Sequence, residues 1–501
     1  MRRDRFLKNS LILISSNLIT GIFGFIFSII LSRELGAEGM GLYGLVMPIY
    51  DLFICLICGG MVAAISRVAA VYFSKDDFRN LNRSIDISLL FDCVWALIIV
   101  SLVFVYAQYI SVYIIKDVRT VHAIQVMCPA MLFIALSSIL KGYFYGTSNI
   151  KIPAFIDILE KFLRIIILVT IVTLLSLDDV KNTVTAAYVT LTIGELVSFG
   201  LLYIAYKIKK LRYKPNFTAA EDKLQLLFNI LVISFPLCLN GFLSTAISAA
   251  SALIVPRRLV SAGIEYSTAL SMIGKFKGMS LNIIFFPMLI VMSISTVLIP
   301  DLSEKIEKKN YWDAEHRISQ VLKIALLLGI TTMVICLNMP NSLGELFYGR
   351  KDLGSYIKFC SFSAPIVFVS ATTFGILNGL GKQNIILRNS LIVAFEELFL
   401  LYILTGISWI NIYGCGISLM ITSITTLALN LYEIKRICNL NITKYDIFIM
   451  ILLGILLYFV LAILNNVLPS QMFAFKNLSM IAIAFLIALI FALYLNKSRY
   501  K

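Results

Sequence analysis

The sequence predicts an all-α integral membrane protein with about 14 transmembrane helices, arranged as two six-helix lobes related by a parallel repeat, plus two C-terminal helices. Three observations predict this class. Of the 501 residues, 59% are hydrophobic and 14% are charged, with a mean hydropathy of +0.91, whereas a soluble domain carries about 25% charged residues. Long apolar runs recur along the chain, and two distant segments repeat one another. A water-soluble globule is therefore excluded.

The apolar runs define the individual spans. The first follows a basic segment, residues 1–8, without a small-residue cleavage pattern, which is typical of an uncleaved first helix rather than a signal peptide. Each run is long enough to cross a bilayer as a helix. The fourteen predicted spans are 10–31, 42–66, 84–106, 121–141, 153–176, 184–206, 225–256, 268–300, 318–338, 358–380, 384–406, 410–432, 446–465 and 477–495.

Basic residues alternate between the loops that join these spans. With the N-terminus inside, and with Lys141, Lys323, Lys358 and Arg388 near span ends counted with the adjoining segments, the cytoplasmic segments contain 29 Lys and Arg residues and the outer loops contain 10. Lys and Arg concentrate in loops that stay in the cytoplasm. The asymmetry predicts a multi-pass protein of the cytoplasmic membrane with both termini cytoplasmic. The net charge of +15 is therefore explained by the basic cytoplasmic loops, and it does not indicate nucleic-acid binding.

An internal repeat relates the two halves of the chain. Pro129 is followed by Ile-Leu-Lys-Gly at 139–142 and Asn-Ile at 149–150, and Pro365 is followed by Ile-Leu-Asn-Gly at 376–379 and Asn-Ile at 384–385, an offset of 235 to 237 residues. Six spans separate the copies, and because six is even, the copies share one orientation. The predicted parts are an N-lobe, a C-lobe and a C-terminal helix pair at residues 1–215, 216–438 and 439–501.

The fifth span carries a charged stripe. Asp157, Glu160, Lys161 and Arg164 are spaced i, i+3, i+4 and i+7, which places them on one helix face, with Asp157–Lys161 and Glu160–Arg164 as acid-first i, i+4 pairs. The repeat places Glu396 opposite Lys161. Charge within hydrocarbon is costly, so the stripe does not face lipid. Two interpretations remain open: a buried ion-pair network that fixes packing, or the polar wall of a transport cavity.

Single ionisable residues occur in other spans. Asp51, Asp92 and Glu195 are each consistent with binding of a coupling proton or Na⁺, or with a structural hydrogen bond to a neighbouring helix.

A basic group lies around the seventh and eighth spans. Lys275 and Lys277 follow Arg257 and Arg258 in sequence. Arg and Lys together suit a phosphate or diphosphate. Basic side chains near span ends also extend to the membrane surface without binding a ligand.

Several chemistries have no residues to support them. The sequence contains no phosphate-binding loop of the ATPase type, and its two histidines, His122 and His316, form no metal or catalytic motif. The nine cysteines lie mostly in apolar runs and are interpreted as small hydrophobic residues, including the C-x-x-C pair at Cys55 and Cys58. No enzyme activity, catalytic residue, metal or cofactor is expected. Transport driven by an existing gradient of H⁺ or Na⁺, or by the membrane potential, remains.

Two motifs resemble a known family. From Leu31 the sequence reads Leu-Ser-Arg-Glu-Leu-Gly-Ala-Glu-Gly-Met-Gly-Leu-Tyr-Gly, and from Val297 it reads Val-Leu-Ile-Pro-Asp-Leu-Ser-Glu. With fourteen helices, the chain resembles the polysaccharide-transporter branch of the multidrug/oligosaccharidyl-lipid/polysaccharide (MOP) exporter superfamily, and within it a sporulation group of endospore-forming bacteria. The resemblance implies a two-lobed flippase that carries an undecaprenyl-linked oligosaccharide or peptidoglycan precursor to the outer leaflet, for spore cortex or cell-envelope synthesis.

The resemblance also suggests site residues and partners. Related lipid II flippases carry arginines in the first helix where this sequence has Gly21 and Phe27.

The expected partners are the lipid-linked sugar, the bilayer and proteins of cell-envelope synthesis, with no nucleic acid. The alternatives are a cation-coupled multidrug exporter of the same fold and a non-transporting scaffold. The expected substrate-binding residues are Arg33, Lys161, Arg164, Lys275 and Lys277, and the expected ion-coupling or cavity acids are Asp51, Asp157, Glu160, Glu195 and Glu396.

Overall fold

A computed structural model of the chain describes residues 2–175, 179–212, 220–439, 444–467 and 472–497. Within these ranges the regular structure is entirely helical. Two short 3₁₀ helices, Val118–Thr120 and Lys351–Leu353, and two π-helical turns, Ile110–Ile115 and Gly274–Ser280, connect α-helices. The α-helices are α1 (Arg2–Cys58), α2 (Met61–Ser74), α3 (Phe78–Val105), α4 (Ala107–Tyr109), α5 (Val121–Gly146), α6 (Lys151–Leu175), α7 (Val180–Arg212), α8 (Lys223–Ser261), α9 (Tyr266–Ile273), α10 (Leu281–Phe285), α11 (Met288–Glu307), α12 (Tyr311–Asn338), α13 (Pro340–Tyr348), α14 (Gly354–Ser361), α15 (Ala364–Gly379), α16 (Gln383–Leu404), α17 (Tyr413–Lys435), α18 (Lys444–Val467) and α19 (Phe473–Lys497).

Glycines interrupt the first long helical segment twice. Gly36 has φ 66° and ψ −171°, which breaks α1 between the first and second predicted spans. Gly60 has φ 76°, and with Gly59 it separates α1 from α2. Glycine adopts these positive φ values without the clash that a Cβ atom causes. The second predicted span therefore contains a break that hydrophobicity alone did not predict.

The described helices account for the predicted number of spans. Nine are long and apolar enough to cross a membrane, or eleven if each of two bent pairs is one span; the pairs bend by 57° at the start of α11 and by 58° at the start of α15. The segment Ile12–Ser74 contains two predicted spans, one on each side of Gly36. Two more helices, α6 and α16, have the length but carry several charged residues. Together they make the fourteen predicted, and the chain is a multi-pass membrane protein.

The chain divides into two packed units, Met1–Leu253 and Ile254–Lys501. In the first unit, α5 packs against α2, α3 and α7, and α6 packs against α7. In the second unit, α15 packs against α11, α12 and α17, and α16 packs against α17, while α18 and α19 both pack against α12. The same neighbours recur in the same chain order, as a repeat requires. The predicted lobe boundary between 215 and 216 lies outside the described residues, and the three-part division stays a prediction.

Matching glycines make matching contacts in the two units. A Cβ atom on Gly142 would lie 2.8 Å from Ile65 Cβ, and one on Gly379 would lie 3.0 Å from Leu302 Cβ. Gly142 and Gly379 are 237 residues apart, as are Ile65 and Leu302. Glycine is needed at both positions because two helices approach too closely for a larger residue. The repeated Gly in the sequence motif therefore marks a repeated helix contact.

Candidate functional site

The charged stripe of α6 meets α7 in the first unit. Arg164 Nη2 forms ion pairs with Glu160 Oε1 and with Glu195 Oε1, the latter at 3.1 Å. The three side chains are 11%, 6% and 10% exposed, respectively. We call Glu160, Arg164 and Glu195 the ionic cluster. It joins the stripe to a carboxylate that the sequence showed only as an isolated acid in the next span.

Local sequence explains why the ionic cluster forms at this level. Glu160 and Arg164 are one helical turn apart, so the i, i+4 pair predicted from spacing is present. On the facing helix, Gly194 precedes Glu195, and a Cβ there would lie 3.0 Å from Glu160 Oε1 and 3.3 Å from Arg164 Nε. The absence of a side chain at residue 194 therefore lets α7 approach the charged face of α6. Because the role of Gly194 is steric, no charge pattern in the sequence could have identified it.

The other predicted i, i+4 pair is not made. Asp157 Oδ1 pairs with Lys141 Nζ of α5 at 2.8 Å, and Lys161 Nζ pairs with Glu160 Oε2 at 3.3 Å. The prediction of an Asp157–Lys161 pair was wrong, because Asp157 pairs instead with Lys141 of the neighbouring helix α5. The repeat motif contained Lys141, but it gave no indication that this residue faces α6.

Aromatic residues of α1 and α7 lie beside the ionic cluster. The rings of Tyr43 and Tyr188 stack with centroids 5.0 Å apart, and the Tyr188 hydroxyl donates to the Tyr43 carbonyl at 3.0 Å. Tyr50 is buried and lies close enough to Arg164 and Glu195 for their charges to act on it. The cluster is thus flanked by ring faces and phenol groups as well as by aliphatic side chains.

The corresponding position in the second unit has different chemistry. Glu396 Oε1 on α16 accepts a hydrogen bond from the Thr425 hydroxyl of α17 at 2.9 Å. Its other oxygen, Oε2, is buried and has no hydrogen-bond partner among the described residues. This acid is held by a neutral hydroxyl, whereas Glu160 and Glu195 are held by a guanidinium.

The predicted basic group separates into members with different surroundings. Lys275, in the π-helical turn, pairs with Asp352 at 2.8 Å, and Asp352 also pairs with Arg350 at 2.9 Å. Lys277 in the same turn lies close enough to Glu397 for their charges to interact. Arg258 donates to the Tyr402 carbonyl at 2.8 Å and covers that ring, which ties it to α16. Asp352 was not predicted because it lies between predicted spans, in the short 3₁₀ helix Lys351–Leu353.

Two further predicted residues are exposed, unlike those of the ionic cluster. Arg33, near the break at Gly36, is exposed, and so is Asp51 in α1. The nine cysteines are free thiols. Among the described residues, no group of three or more His, Cys, Asp or Glu side chains is arranged to hold a metal ion.

Comparisons with known proteins place the chain in a family. The polysaccharide biosynthesis protein family matches residues 6–306, and the MatE family matches residues 277–403. Stage V sporulation protein B from Bacillus subtilis (strain 168) is 25% identical over 444 residues, covering 88% of this chain and 86% of that protein.

Two solved structures are similar in fold. The lipid II flippase MurJ in an inward closed conformation has a TM-score of 0.71 and 16% identity, covering 99% of this chain and all of that one. The inward-facing conformation of a multidrug resistance MATE family transporter has a TM-score of 0.63 and 14% identity, covering 85% of this chain and 98% of that one. The predicted fold is confirmed, since it is shared with the lipid II flippase and with a MATE transporter of the MOP superfamily, and this multi-pass membrane protein belongs to the polysaccharide biosynthesis protein family.

Proposed function

We propose that this protein is a secondary-active flippase that moves an undecaprenyl-linked oligosaccharide or peptidoglycan precursor across the cytoplasmic membrane, for spore cortex or cell-envelope synthesis. The observation that carries the proposal is the extent of the structural likeness. The solved lipid II flippase covers 99% of this chain, whereas the inward-facing multidrug transporter covers 85%. Similarity to a sporulation protein over 88% of the chain supports a role in the same process.

The chemistry of the ionic cluster suits such a cargo. A sugar diphosphate cannot cross hydrocarbon unless polar groups replace its water. Guanidinium groups form paired hydrogen bonds with phosphate oxygens, and ammonium groups act as point charges. Arg164 is committed to two carboxylates in this conformation, while Lys161 is a third exposed and 3.3 Å from Glu160. We therefore assign the first contact with diphosphate to Lys161, with Arg164 engaging when its carboxylate partners are displaced.

The other predicted residues fit supporting roles. Lys275 and Lys277 supply a second basic position, and Arg33 supplies a third. Glu396, Glu195, Asp157 and Asp51 are candidate acids for coupling to H⁺ or Na⁺. The proposed orientation has both termini in the cytoplasm, so that a cargo made inside the cell enters from the inner leaflet. Contacts with cell-envelope synthesis proteins would deliver it.

The test removes the charges of the ionic cluster without leaving a buried unpaired charge, because Lys161, which loses its partner Glu160, is a third exposed. Replacing a buried ion-pair network by hydrophobic residues of similar volume is often neutral or stabilising, and Gln keeps the shape of Glu without its charge. The triple variant Glu160→Gln/Arg164→Met/Glu195→Gln should therefore insert and fold. We expect it to leave a lipid-linked precursor on the cytoplasmic leaflet, as deletion does, in a leaflet-resolved assay of the precursor.

A matched control separates function from packing. Glu304 and Lys308 form an exposed i, i+4 pair at 2.6 Å, and the variant Glu304→Gln/Lys308→Met should retain full activity. If the triple variant also retains full activity, the ionic cluster serves packing alone, and the proposed contact between Arg164 and the cargo is wrong. Full activity of that variant is also what the scaffold alternative predicts.

A cation-coupled multidrug exporter is the second candidate, and one observation favours it. The MatE family match, residues 277–403, includes Glu396, whose buried Oε2 has no described partner. Such a carboxylate suits a proton or a cationic drug. A deletion strain that becomes drug-sensitive while its precursor distribution stays normal would favour this function over the flippase.

A further inference from the structure

Asp92 differs from every other acid discussed above. It lies near the middle of α3 and is 0% exposed, and neither carboxyl oxygen has a hydrogen-bond partner among the described residues. Glu160 and Glu195 share Arg164, and Glu396 accepts from Thr425. An isolated ionised carboxylate in an apolar interior costs far more than a neutral one. The geometry therefore favours a protonated Asp92 in this conformation.

The surroundings of Asp92 are neutral. The described titratable groups on which the charge of an ionised Asp92 would act are two thiols, Cys58 at the end of α1 and Cys238 of α8. From α5, the Ser138 hydroxyl contacts the Cys58 sulfur at 3.7 Å and donates to the Ile134 carbonyl at 2.8 Å. Among the described residues of α2 and α4, which also pack against α3, no charged or titratable group offsets the charge of Asp92. An ionised Asp92 thus has no described cation to compensate it.

These neighbours lie at the break between α1 and α2. Cys58 directly precedes Gly59 and Gly60, and the backbone has a positive φ at Gly60. Helix α8 packs onto the break so closely that a Cβ on Gly60 would lie 2.7 Å from the Ser234 carbonyl oxygen, and one on Gly59 would lie 3.0 Å from Cys238 Cα. The break is therefore closed over by backbone rather than by side chains that could move independently.

Helix α3 is also attached to the end of α1. The indole N–H of Trp95, one turn beyond Asp92, donates to the Leu56 carbonyl at 3.3 Å. Leu56 lies in the last turn of α1, whose carbonyls lack the usual partners four residues later because the helix ends. Asp92 and Trp95 thus meet the same helix end, and a movement at the Gly59–Gly60 break changes the environment of both.

We propose that Asp92 is a proton-binding site coupled to this break. The carboxyl holds its proton while α1, α3 and α8 are packed as described. When the break opens and water enters, the O–H bond breaks, the proton passes to water, and the carboxylate is hydrated. Closure requires that a proton be taken up again. Protonation of Asp92 therefore stabilises the closed break, and deprotonation stabilises an open one.

The donor set favours a proton over a metal cation. Sodium, magnesium and calcium take several oxygen ligands, whereas thiols are soft ligands that suit other metals. The groups described around Asp92 are two thiols and a hydroxyl whose hydrogen bond is already given to a backbone carbonyl. A single carboxyl with these neighbours binds a proton without further ligands.

The test uses Trp95 as a local reporter and needs no cargo. The chain has three tryptophans, so Trp312→Phe/Trp409→Phe leaves Trp95 alone. In purified protein, we expect its emission to change with pH in a single one-proton transition that Asp92→Asn abolishes with helix content unchanged. Asp86→Asn is the matched control, because Asp86 lies on the same helix, is paired with Lys210 at 2.7 Å, and is half exposed. It should leave the transition in place.

The outcomes separate this proposal from the proposed function. An unchanged transition in the Asp92→Asn variant, or no transition at any pH in the parent, would overturn the proton site. The role of the site in driving transport rests on the proposed function. In vesicles, Asp92→Asn should keep gradient-independent exchange of the lipid-linked cargo but lose its response to a pH gradient. If neither protein moves that cargo while the Trp95 transition stands, the flippase assignment fails and the proton site does not.

Discussion

The α6–α7 pair of the first unit and the α16–α17 pair of the second occupy equivalent places in the repeat, yet their polar contacts differ. In the first, Arg164 is held between two carboxylates. In the second, Glu396 is held by the Thr425 hydroxyl, and no described Lys or Arg forms an ion pair with it. Two helix pairs with the same neighbours thus carry, in one case, a charged network and, in the other, a hydrogen-bonded acid.

The difference shows which constraints a duplicated membrane protein retains. Steric constraints persist. Gly142 faces Ile65 and Gly379 faces Leu302, and these two facing residues are 237 residues apart, as the two glycines are. A larger residue in place of either glycine would force the helices apart. Charge can diverge, because an intramembrane acid requires only some partner, and either a guanidinium or a hydroxyl serves. Through divergence of this kind, the two units keep the same helix contacts but contain polar sites of different chemistry.

The largest expected effect comes from removing the cation of the ionic cluster. Arg164→Met leaves Glu195 buried without its counter-charge and leaves Glu160 with only its pair to Lys161, and breaking a buried pair in this way costs about 3–5 kcal/mol. The free energy of unfolding in detergent, measured by denaturant titration, checks this value. The equivalent loss in the second unit, from Glu396→Gln, should be several times smaller.

The triple variant sharpens the same comparison. Adding Glu160→Gln and Glu195→Gln to Arg164→Met removes the uncompensated charges, and we expect it to recover most of the lost stability. If the single and triple variants were equally unstable, the cost would come from lost packing around Arg164, and the contrast between the two units would be steric rather than electrostatic.

The second largest effect tests the shared packing. Gly142→Ala and Gly379→Ala each place a Cβ at 3.0 Å or less from a facing Cβ, and overpacking of this kind costs about 1–3 kcal/mol. Gly142→Ala should cost more, because its contact is shorter. Gly24→Ala is the control, since a Cβ there meets nothing within 4 Å, and its unfolding free energy should not fall. Unequal behaviour of Gly142 and Gly379, with one tolerant, would contradict their equivalence in the repeat.

The sequence predicted the features that depend on local spacing. Glu160–Arg164 follows from i, i+4 geometry within one helix, and the fourteen spans follow from runs of apolar residues. The sequence failed where the third dimension decides. Lys141 displaced Lys161 as the partner of Asp157, and the broken helix at Gly59–Gly60 lies in a run whose hydropathy is uninterrupted. Neither a contact between distant helices nor a backbone angle has a signature in hydrophobic periodicity.

A smaller effect tests the neutral site of the second unit. Thr425→Val removes the donor to Glu396 Oε1 at 2.9 Å, which leaves both oxygens of that acid without a described donor, and loss of a single hydrogen bond costs about 0.5–1.5 kcal/mol. Thr425→Ser preserves the hydroxyl and is the control. Equal destabilisation by both variants would mean that the threonine methyl, and not the hydrogen bond, supports α16 against α17.

The smallest effect separates the ion pair that forms from the one that spacing predicted. Asp157 and Lys141 are both partly exposed and 2.8 Å apart, and a pair of this kind is worth about 0.2–1 kcal/mol. A double-mutant cycle of Asp157→Asn with Lys141→Met should give a coupling energy in that range, because the Asp157 carboxylate contacts the Lys141 ammonium group. A second cycle, of Asp157→Asn with Lys161→Met, should give a coupling energy close to zero, since Lys161 is paired with Glu160. A coupling to Lys161 that equals or exceeds the coupling to Lys141 would restore the helix-internal pair, and the stripe of α6 would then be bound to itself rather than to α5.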